Sequence, residues 1–463
     1  MAMVADSIPK LKSFIRNCDA SETCRGLIVR MVITFILHYG RMSCSQAAGV
    51  LPTDERNKSQ LTRFLARPRW KAVKMSRKLA AMLLKKQVVV VGRFILILDA
   101  TYFTNQGKKT ENTFCNSSHG GSKKNRSKKG KKKGQRYGRP KSAAKSCHGF
   151  TFALLITPNG TRIVWQYPHY TPEYCETHDV EHRTTAQLAA DLIAELPLPE
   201  GADVVVLADT AYDAAVVQQA CTARGYTWIV PCNPSRRLAG PKGQRPTIRS
   251  LLDDWSKYVL ATVRFTPNQG RYVAYRRLSS SRSGPKTKSR TYYVHQEKRE
   301  VQSIGPVQLV FSTTEQTLCK ATPDTVKILM TNDLSLSPAE LVELYTLRWQ
   351  IELFFKELKS QLGTDQYRFQ KFAAVEGWIE MAVITMLYLE SYRYDQLCRK
   401  NLTEAERLWW QRQRAHGLCQ AIRLRSQQAD LEYIADRLQT EGGTRKLKRL
   451  IEKSIPREYR CKP

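Results

Sequence analysis

Two stretches of this sequence leave little freedom in how it can fold. Residues 87–99 (QVVVVGRFILILD) and 202–209 (ADVVVLAD) are nearly continuous runs of valine, isoleucine and leucine. They lack the apolar–polar alternation of a half-exposed strand. Such runs predict strands buried on both faces, hence a sheet covered by helices on two sides. Each run ends in an aspartate, Asp99 and Asp209. Open α/β sheets place their chemistry at strand ends, so both carboxylates are candidates, although either alone fits a helix cap or a turn equally well.

Further elements fall around these two. Residues 149–158 (GFTFALLITP) and 161–167 (TRIVWQY) read as strands joined by an Asn159-Gly160 hairpin turn. Helices are expected over 185–196 and 216–224, and another strand over 226–231. The order strand, hairpin partner, third strand, helix, strand, helix resembles a ribonuclease-H-like sheet. Residues 246–330 break that rhythm. Short strands at 258–265, 271–275, 291–295, 306–311 and 326–330, with turn-rich gaps, predict a β-rich insertion.

After the insertion comes the clearest helix, residues 337–363. Ser337, Pro338 and Glu340 form a capping-box start, and Gly363 supplies the stop. About six continuous turns are expected between them. Leu344, Leu347, Ile351, Phe354, Phe355 and Leu358 make an apolar face. Beside it Tyr345, Arg348, Glu352 and Lys359 fall within about 60° of one another. That ladder suits a metal-binding carboxylate flanked by phosphate-binding cations, or simply a solvated charged edge.

Both ends of the chain read as helical. Near the start, residues 43–51 and 58–66 resemble a helix-turn-helix, the second helix offering Gln60, Thr62 and Arg63 outward while Leu61 and Leu65 pack inward. A plain helical bundle has the same pattern. Helices continue beyond Gly363, notably over 372–393, and the tail is basic.

Charge narrows the partner. Lys+Arg number 75 against 41 Asp+Glu, a net +34, which suits a polyanion, nucleic acid first and anionic membrane second. Membrane has little support: the apolar run 27–39 is too short to span, contains Arg30, and reads as a buried helix. No secretory pattern precedes it, and the twelve cysteines hold no C-x-x-C pair, so reduced thiols in a cytosolic compartment are expected. Cys175 with His178 and Cys147 with His148 lack the second pair that a structural zinc site needs.

Much of the positive charge lies in one tract, residues 105–146, rich in Lys, Gly, Ser and Asn and almost free of aliphatic residues. It cannot bury a core, so disorder in the free chain is expected. Lys128, Lys129, Lys131 and Lys132 would bind phosphates without reading sequence. Arg139, within Gly138-Arg139-Pro140-Lys141, sits in a short match to elements that lie in A·T-rich minor grooves.

Asp99, Asp209 and Glu352 are the types of residue that two-metal phosphoryl chemistry uses. At these residues the chain resembles the DDE transposases of bacterial insertion sequences, in particular the insertion-sequence-four group and its relatives. Their signature Y-x2-R-x3-E-x6-K is matched by Tyr345, Arg348, Glu352 and Lys359. Asp99 in LDAT and Asp209 in ADTAY stand at the two aspartate positions. The resemblance covers roughly 90–365 and implies a ribonuclease-H-like core with a β-rich insertion.

The resemblance also implies cut-and-paste transposition. A homodimer on double-stranded DNA nicks at terminal inverted repeats, passes through a hairpin and transfers strands to target DNA. Asp99, Asp209 and Glu352 would hold two Mg2+ ions, for which Mn2+ can substitute. Arg348 and Lys359 would grip phosphates near the scissile bond, and Tyr345 would contact a phosphate or position the DNA end. Some relatives hold a flipped base with a tryptophan of the insertion. Trp228 and Trp255 are the candidates here, neither in a motif context, which leaves the hairpin step open. Trp349 is expected in the core.

The resulting division is an α/β chain flanked by helical regions. It comprises a helical DNA-binding region (1–86), the first part of the core (87–244), the β-rich insertion (245–330), the core's last part with the glutamate helix (331–365), and a helical C-terminal region for dimerisation or DNA contacts (366–463). The expected location is the bacterial cytoplasm, at the nucleoid. A metal-dependent nuclease without strand transfer and an inactive transposase-derived DNA-binding protein are the alternatives.

Overall fold

A computed structural model describes residues 7–38, 44, 58–66, 72–86, 92–104, 110–116, 145–241, 245–267, 269–277, 289–439 and 442–445. Its strands are β1 (Phe94–Thr104), β2 (Phe114–Asn116), β3 (Lys145–Ile156), β4 (Arg162–Pro168), β5 (Val204–Ala208), β6 (Thr227–Pro231), β7 (Ala261–Phe265), β8 (Arg290–Val301), β9 (Gly305–Thr313) and β10 (Lys327–Thr331). All ten lie in one sheet ordered β2-β3-β1-β5-β6-β10-β9-β8-β7, with β4 on β3. The protein is therefore a mixed α/β chain built on a large sheet.

The two apolar runs occupy its centre. β1 pairs antiparallel with β3 and parallel with β5, and the first five residues of β1 and all five of β5 are buried. The expected first strand differs at both ends. Residues 87–91 lie outside the described set, the strand begins at Phe94, and it runs past Asp99 to Thr104. Pairing with β5 stops at Leu98–Ala208, whereas pairing with β3 continues to Thr104–Cys147. Asp99 thus stands where one neighbour leaves while the other carries on. The helices Thr185–Ala194 and Ala215–Ala223 lie between the parallel strands in sequence, the first starting at a complete Thr184–Gln187 capping box.

The β3–β4 turn forms at Asn159-Gly160 as expected. Gly160 has φ +77°, and a Cβ there would lie 2.5 Å from the Ala274 carbonyl oxygen. Only glycine meets both demands.

The short strands of residues 246–330 do not form a separate sheet. β10 pairs antiparallel with β6, and β9, β8 and β7 extend the same sheet as a meander. One expected strand is absent: within 271–275 the chain makes a 3-10 turn, Val273–Tyr275. Contacts to other elements hold the segment in place. The Tyr272 amide and hydroxyl donate to Glu343 (3.2 Å) and Glu340 (2.7 Å), and the Tyr275 hydroxyl donates to the Arg93 carbonyl (2.5 Å).

A helical layer surrounds Phe372–Leu397, a 26-residue helix buried on all sides. It is long and apolar enough to cross a membrane, but 89% of its most apolar window is buried inside the protein, so its neighbours already cover the surface a bilayer would. The helices Glu22–Leu37, Lys58–Ala66 and Ala72–Lys85 pack on it. The run expected as a buried helix lies within Glu22–Leu37, with Arg30 buried. His178 stacks on Tyr174, centroids 3.9 Å apart, and its Nδ1 lies 2.8 Å from the Thr177 hydroxyl. His148 has both ring nitrogens engaged, by the Tyr367 hydroxyl and the Glu111 carbonyl.

Candidate active site

The glutamate helix is not six even turns. It begins at Ser337, whose hydroxyl accepts from the Glu340 amide at 3.2 Å. The reciprocal half of the box is missing, because Tyr272, Arg271 and Arg93 occupy the Glu340 carboxylate. Pro338–Thr346 is regular. The chain then tightens, with i→i+3 bonds from Leu347 to Leu344 and from Arg348 to Tyr345. The helix resumes over Trp349–Lys356, widens to a π-turn over Glu357–Gln361, and stops at Gly363, φ +62°.

These irregularities redistribute the expected ladder, because a tight turn and a wide turn each shift the angular phase of the residues after them. Lys359 does not reach the carboxylates' salt bridges. Its Nζ donates to the Tyr102 carbonyl at 2.9 Å and lies 5.3 Å from the Phe103 ring, and burial lowers its pKa. Trp349, expected in the core, is 55% exposed. It sits two residues from both Leu347 and Ile351, about 200° round the helix from these buried side chains.

The apolar face fixes where the helix lands. Phe354 and Phe355 pack on Phe152 of β3, centroids 5.9 and 5.5 Å away. Phe152 is the register partner of Asp99, and paired residues share a face of the sheet. Docking the two rings on Phe152 therefore brings the polar edge of the helix over Asp99. The Arg348 guanidinium bridges the result, 2.6 Å from Glu352 Oε1 and 3.6 Å from Asp99 Oδ2. Burial raises the Asp99 carboxyl to about 6, with Asp209 and Glu352 pushing the same way and the Ala100 amide and Arg348 opposing.

Asp209 follows β5 directly and precedes the 3-10 turn Thr210–Tyr212. The loop beyond it is anchored by Asp213, which pairs with Arg236 at 2.7 Å and accepts from the Asn233 amide at 2.8 Å. Tyr345 is 8% exposed, and its buried hydroxyl lies beside the Arg348 guanidinium. Lys327 Nζ lies 4.6 Å from the centre of its ring.

Asp99, Glu352 and Arg348 are thus in direct contact, Asp209 and Tyr345 stand beside them, and Lys359 is turned toward β1. Gln60 and Arg63 lie on the exposed side of Lys58–Ala66, whose Leu61 and Leu65 are buried. The other half of the expected helix-turn-helix, 43–51, is outside the described residues except Cys44, as are Lys128, Lys129, Lys131, Lys132 and Arg139. Trp228 and Trp255 are both buried. Sequence reasoning misses Lys327, because it weighs the last residues of strands, and Lys327 is the first residue of one.

Among the described residues no three His, Cys, Asp or Glu side chains converge closely enough to grip an ion in this arrangement. The donor set itself suits a hard divalent cation: three carboxylates, one of them raised by burial and by its neighbours' charge. Arg348 is what holds two of them in their present positions.

The Transposase DDE domain family matches residues 92–388 of this chain. That span exceeds half of the sequence and contains all three carboxylates, and the chain belongs to this family. No curated protein matches it.

Proposed function

We propose that the chain is a DNA transposase of the insertion-sequence-four type, cutting and joining DNA by metal-assisted phosphoryl transfer. The carrying observation is the Arg348 guanidinium in contact with Asp99 and Glu352 together, within the span that matches the family. The order β4-β3-β1-β5-β6, with β3 antiparallel to its neighbours, supports a ribonuclease-H-like core. The proposed division is a helical DNA-binding region 1–86, a core of 87–244 and 331–365 around the insertion 245–330, and a helical C-terminal region 366–463.

In this reading Asp99, Asp209 and Glu352 hold two Mg2+ ions. When bound, these ions lower the pKa of the attacking hydroxyl and stabilise the leaving oxygen. The protein's own residues do the rest. Arg348 exchanges its carboxylate partners for a DNA phosphate, its fork matching the phosphate oxygens. Lys359 holds a second phosphate as a point charge, and the Tyr345 hydroxyl donates to the DNA end. A homodimer brings two inverted-repeat ends together and opens a hairpin on the way to strand transfer, at the bacterial nucleoid.

Purified protein, Mg2+ and labelled inverted-repeat DNA should give nicks, hairpins and joined products on one denaturing gel. Nicks without joined products would move the assignment to a nuclease; no product with either Mg2+ or Mn2+ would end it. The tract 105–146 supplies general affinity in this reading. Deleting residues 123–133 should weaken binding and flatten its salt dependence, since every phosphate no longer neutralised takes about 0.9 off the log–log slope. An unchanged slope would show that the tract does not touch phosphate.

A further inference from the structure

The sheet delivers one more cation to the site than the family signature contains. β5 and β6 are parallel with Leu207 opposite Ile229, and β6 and β10 antiparallel with Pro231 opposite Leu329. Continuing the register, Asp209 is level with Pro231 and Leu329. Asp99 is level with Asp209, because Leu98 faces Ala208. Lys327 precedes Leu329 by two residues, so it lies on the same face and at the edge where β1, β5 and β6 present their functional ends.

Its surroundings agree with that placement. Lys327 Nζ lies 4.6 Å from the centre of the Tyr345 ring, which is itself buried. Among the described residues Lys327 makes no salt bridge. Burial and the Arg348 charge lower its pKa while the Asp209 carboxylate opposes them. With Thr210 it lines a cavity of about 540 Å³ between β6, β10 and residues 313–326. A cation held on an aromatic ring beside a carboxylate, with no salt-bridge partner among the described residues, is poised for an anion that the site receives from outside.

We propose that Lys327 binds a backbone phosphate of the DNA strand where it passes Asp209, with the Tyr345 ring as its platform. This rests on the transposase reading only for the identity of the DNA. The bound group is a phosphodiester, and the contact is electrostatic and independent of base sequence.

The test compares wild type, Lys327→Gln and Lys327→Arg on duplex inverted-repeat DNA without divalent metal, and on duplexes carrying single uncharged methylphosphonates near the cleavage point. Lys327→Gln should weaken binding about tenfold and reduce the salt slope by about 1, with the melting temperature unchanged. One methylphosphonate position should weaken the wild type about tenfold and cost Lys327→Gln nothing further, and Lys327→Arg should behave as wild type. Equal salt slopes, or equal penalties at every methylphosphonate position, would overturn the proposal and leave Lys327 a packing residue over Tyr345. Wild-type cleavage in Mg2+, followed alongside, reports separately on the transposase reading. Its absence would refute that reading and leave the salt-slope comparison valid for any bound duplex.

Discussion

Replacing Asp99, Asp209 or Glu352 by alanine is expected to lower metal-dependent cleavage of inverted-repeat DNA at least about a thousandfold, equivalent to some 4 kcal/mol of transition-state stabilisation. Binding to the same DNA should change little, because phosphate contacts made by lysine and arginine dominate affinity. Single-turnover cleavage and equilibrium binding, measured on the same duplex, separate the two quantities. Wild-type rates from any one of the three variants would remove that residue from the site. Glu352→Ala should also free Arg348 from its closer partner, 2.6 Å away. A small gain in DNA affinity for this variant alone would fit the exchange of carboxylate for phosphate proposed for Arg348.

The second large effect is on stability. Glu390, on the long buried helix, is nearly inaccessible and accepts from Arg277 (2.5 Å), Arg393 (3.1 Å) and the Arg162 amide (3.2 Å). Arg162 in turn reaches Glu357 (3.2 Å) and Gln350 (2.8 Å) on the glutamate helix. The cluster therefore clamps the helix bearing Glu352 to β4 and to the long helix. Glu390→Ala leaves buried guanidinium groups short of a partner and is expected to cost about 3–5 kcal/mol, a fall in Tm of about 3–5 °C for a chain of this length. Its pH dependence has a definite sign. Burial pushes the Glu390 carboxyl up, Arg277 and Arg393 outweigh it, and the group is held at about 2. A depressed carboxyl contributes stability above its unfolded value, near 4.5, and loses it as pH falls toward 2. Thermal melts between about pH 7 and pH 2 should show that loss in the wild type, and Glu390→Ala should lack this component. A variant with wild-type Tm at neutral pH would refute the clamp.

What the sequence discloses depends on the range of the forces involved. The two central strands, the Asn159-Gly160 turn and the Ser337 and Gly363 helix ends are local patterns and can be read directly. So can the contacts made by a single regular helix, which is why Arg348 and Glu352 lie together. The site's other features are settled across the fold. The π-turn that redirects Lys359 coincides with Glu357, whose carboxylate is bonded to Arg162 and to the Ala415 amide (3.0 Å), both distant in sequence. Tyr272 gives its amide to Glu343 rather than to a strand, and the Tyr272 and Tyr275 hydroxyls tie the turn to Glu340 and the Arg93 carbonyl, all distant in sequence. The exposure of Trp349 is a matter of helical phase rather than a long-range effect. Lys327 becomes visible only once β10 is known to run against β6.

The position of Arg348 has a consequence for how the protein survives without its reaction. Two carboxylates brought together in a half-buried setting repel, and that repulsion would oppose folding. Here the chain supplies the compensating charge covalently, so the neutralisation is independent of any solute concentration. The fold should therefore be indifferent to chelators: EDTA is expected to stop cleavage while leaving Tm where it was, and a large EDTA-induced fall would contradict this. In the proposed reading Asp99 and Glu352 would hold the divalent cation that Arg348 now stands in for, and Arg348 would turn to a DNA phosphate, so that ligand binding would be an exchange of ions rather than a source of fold stability.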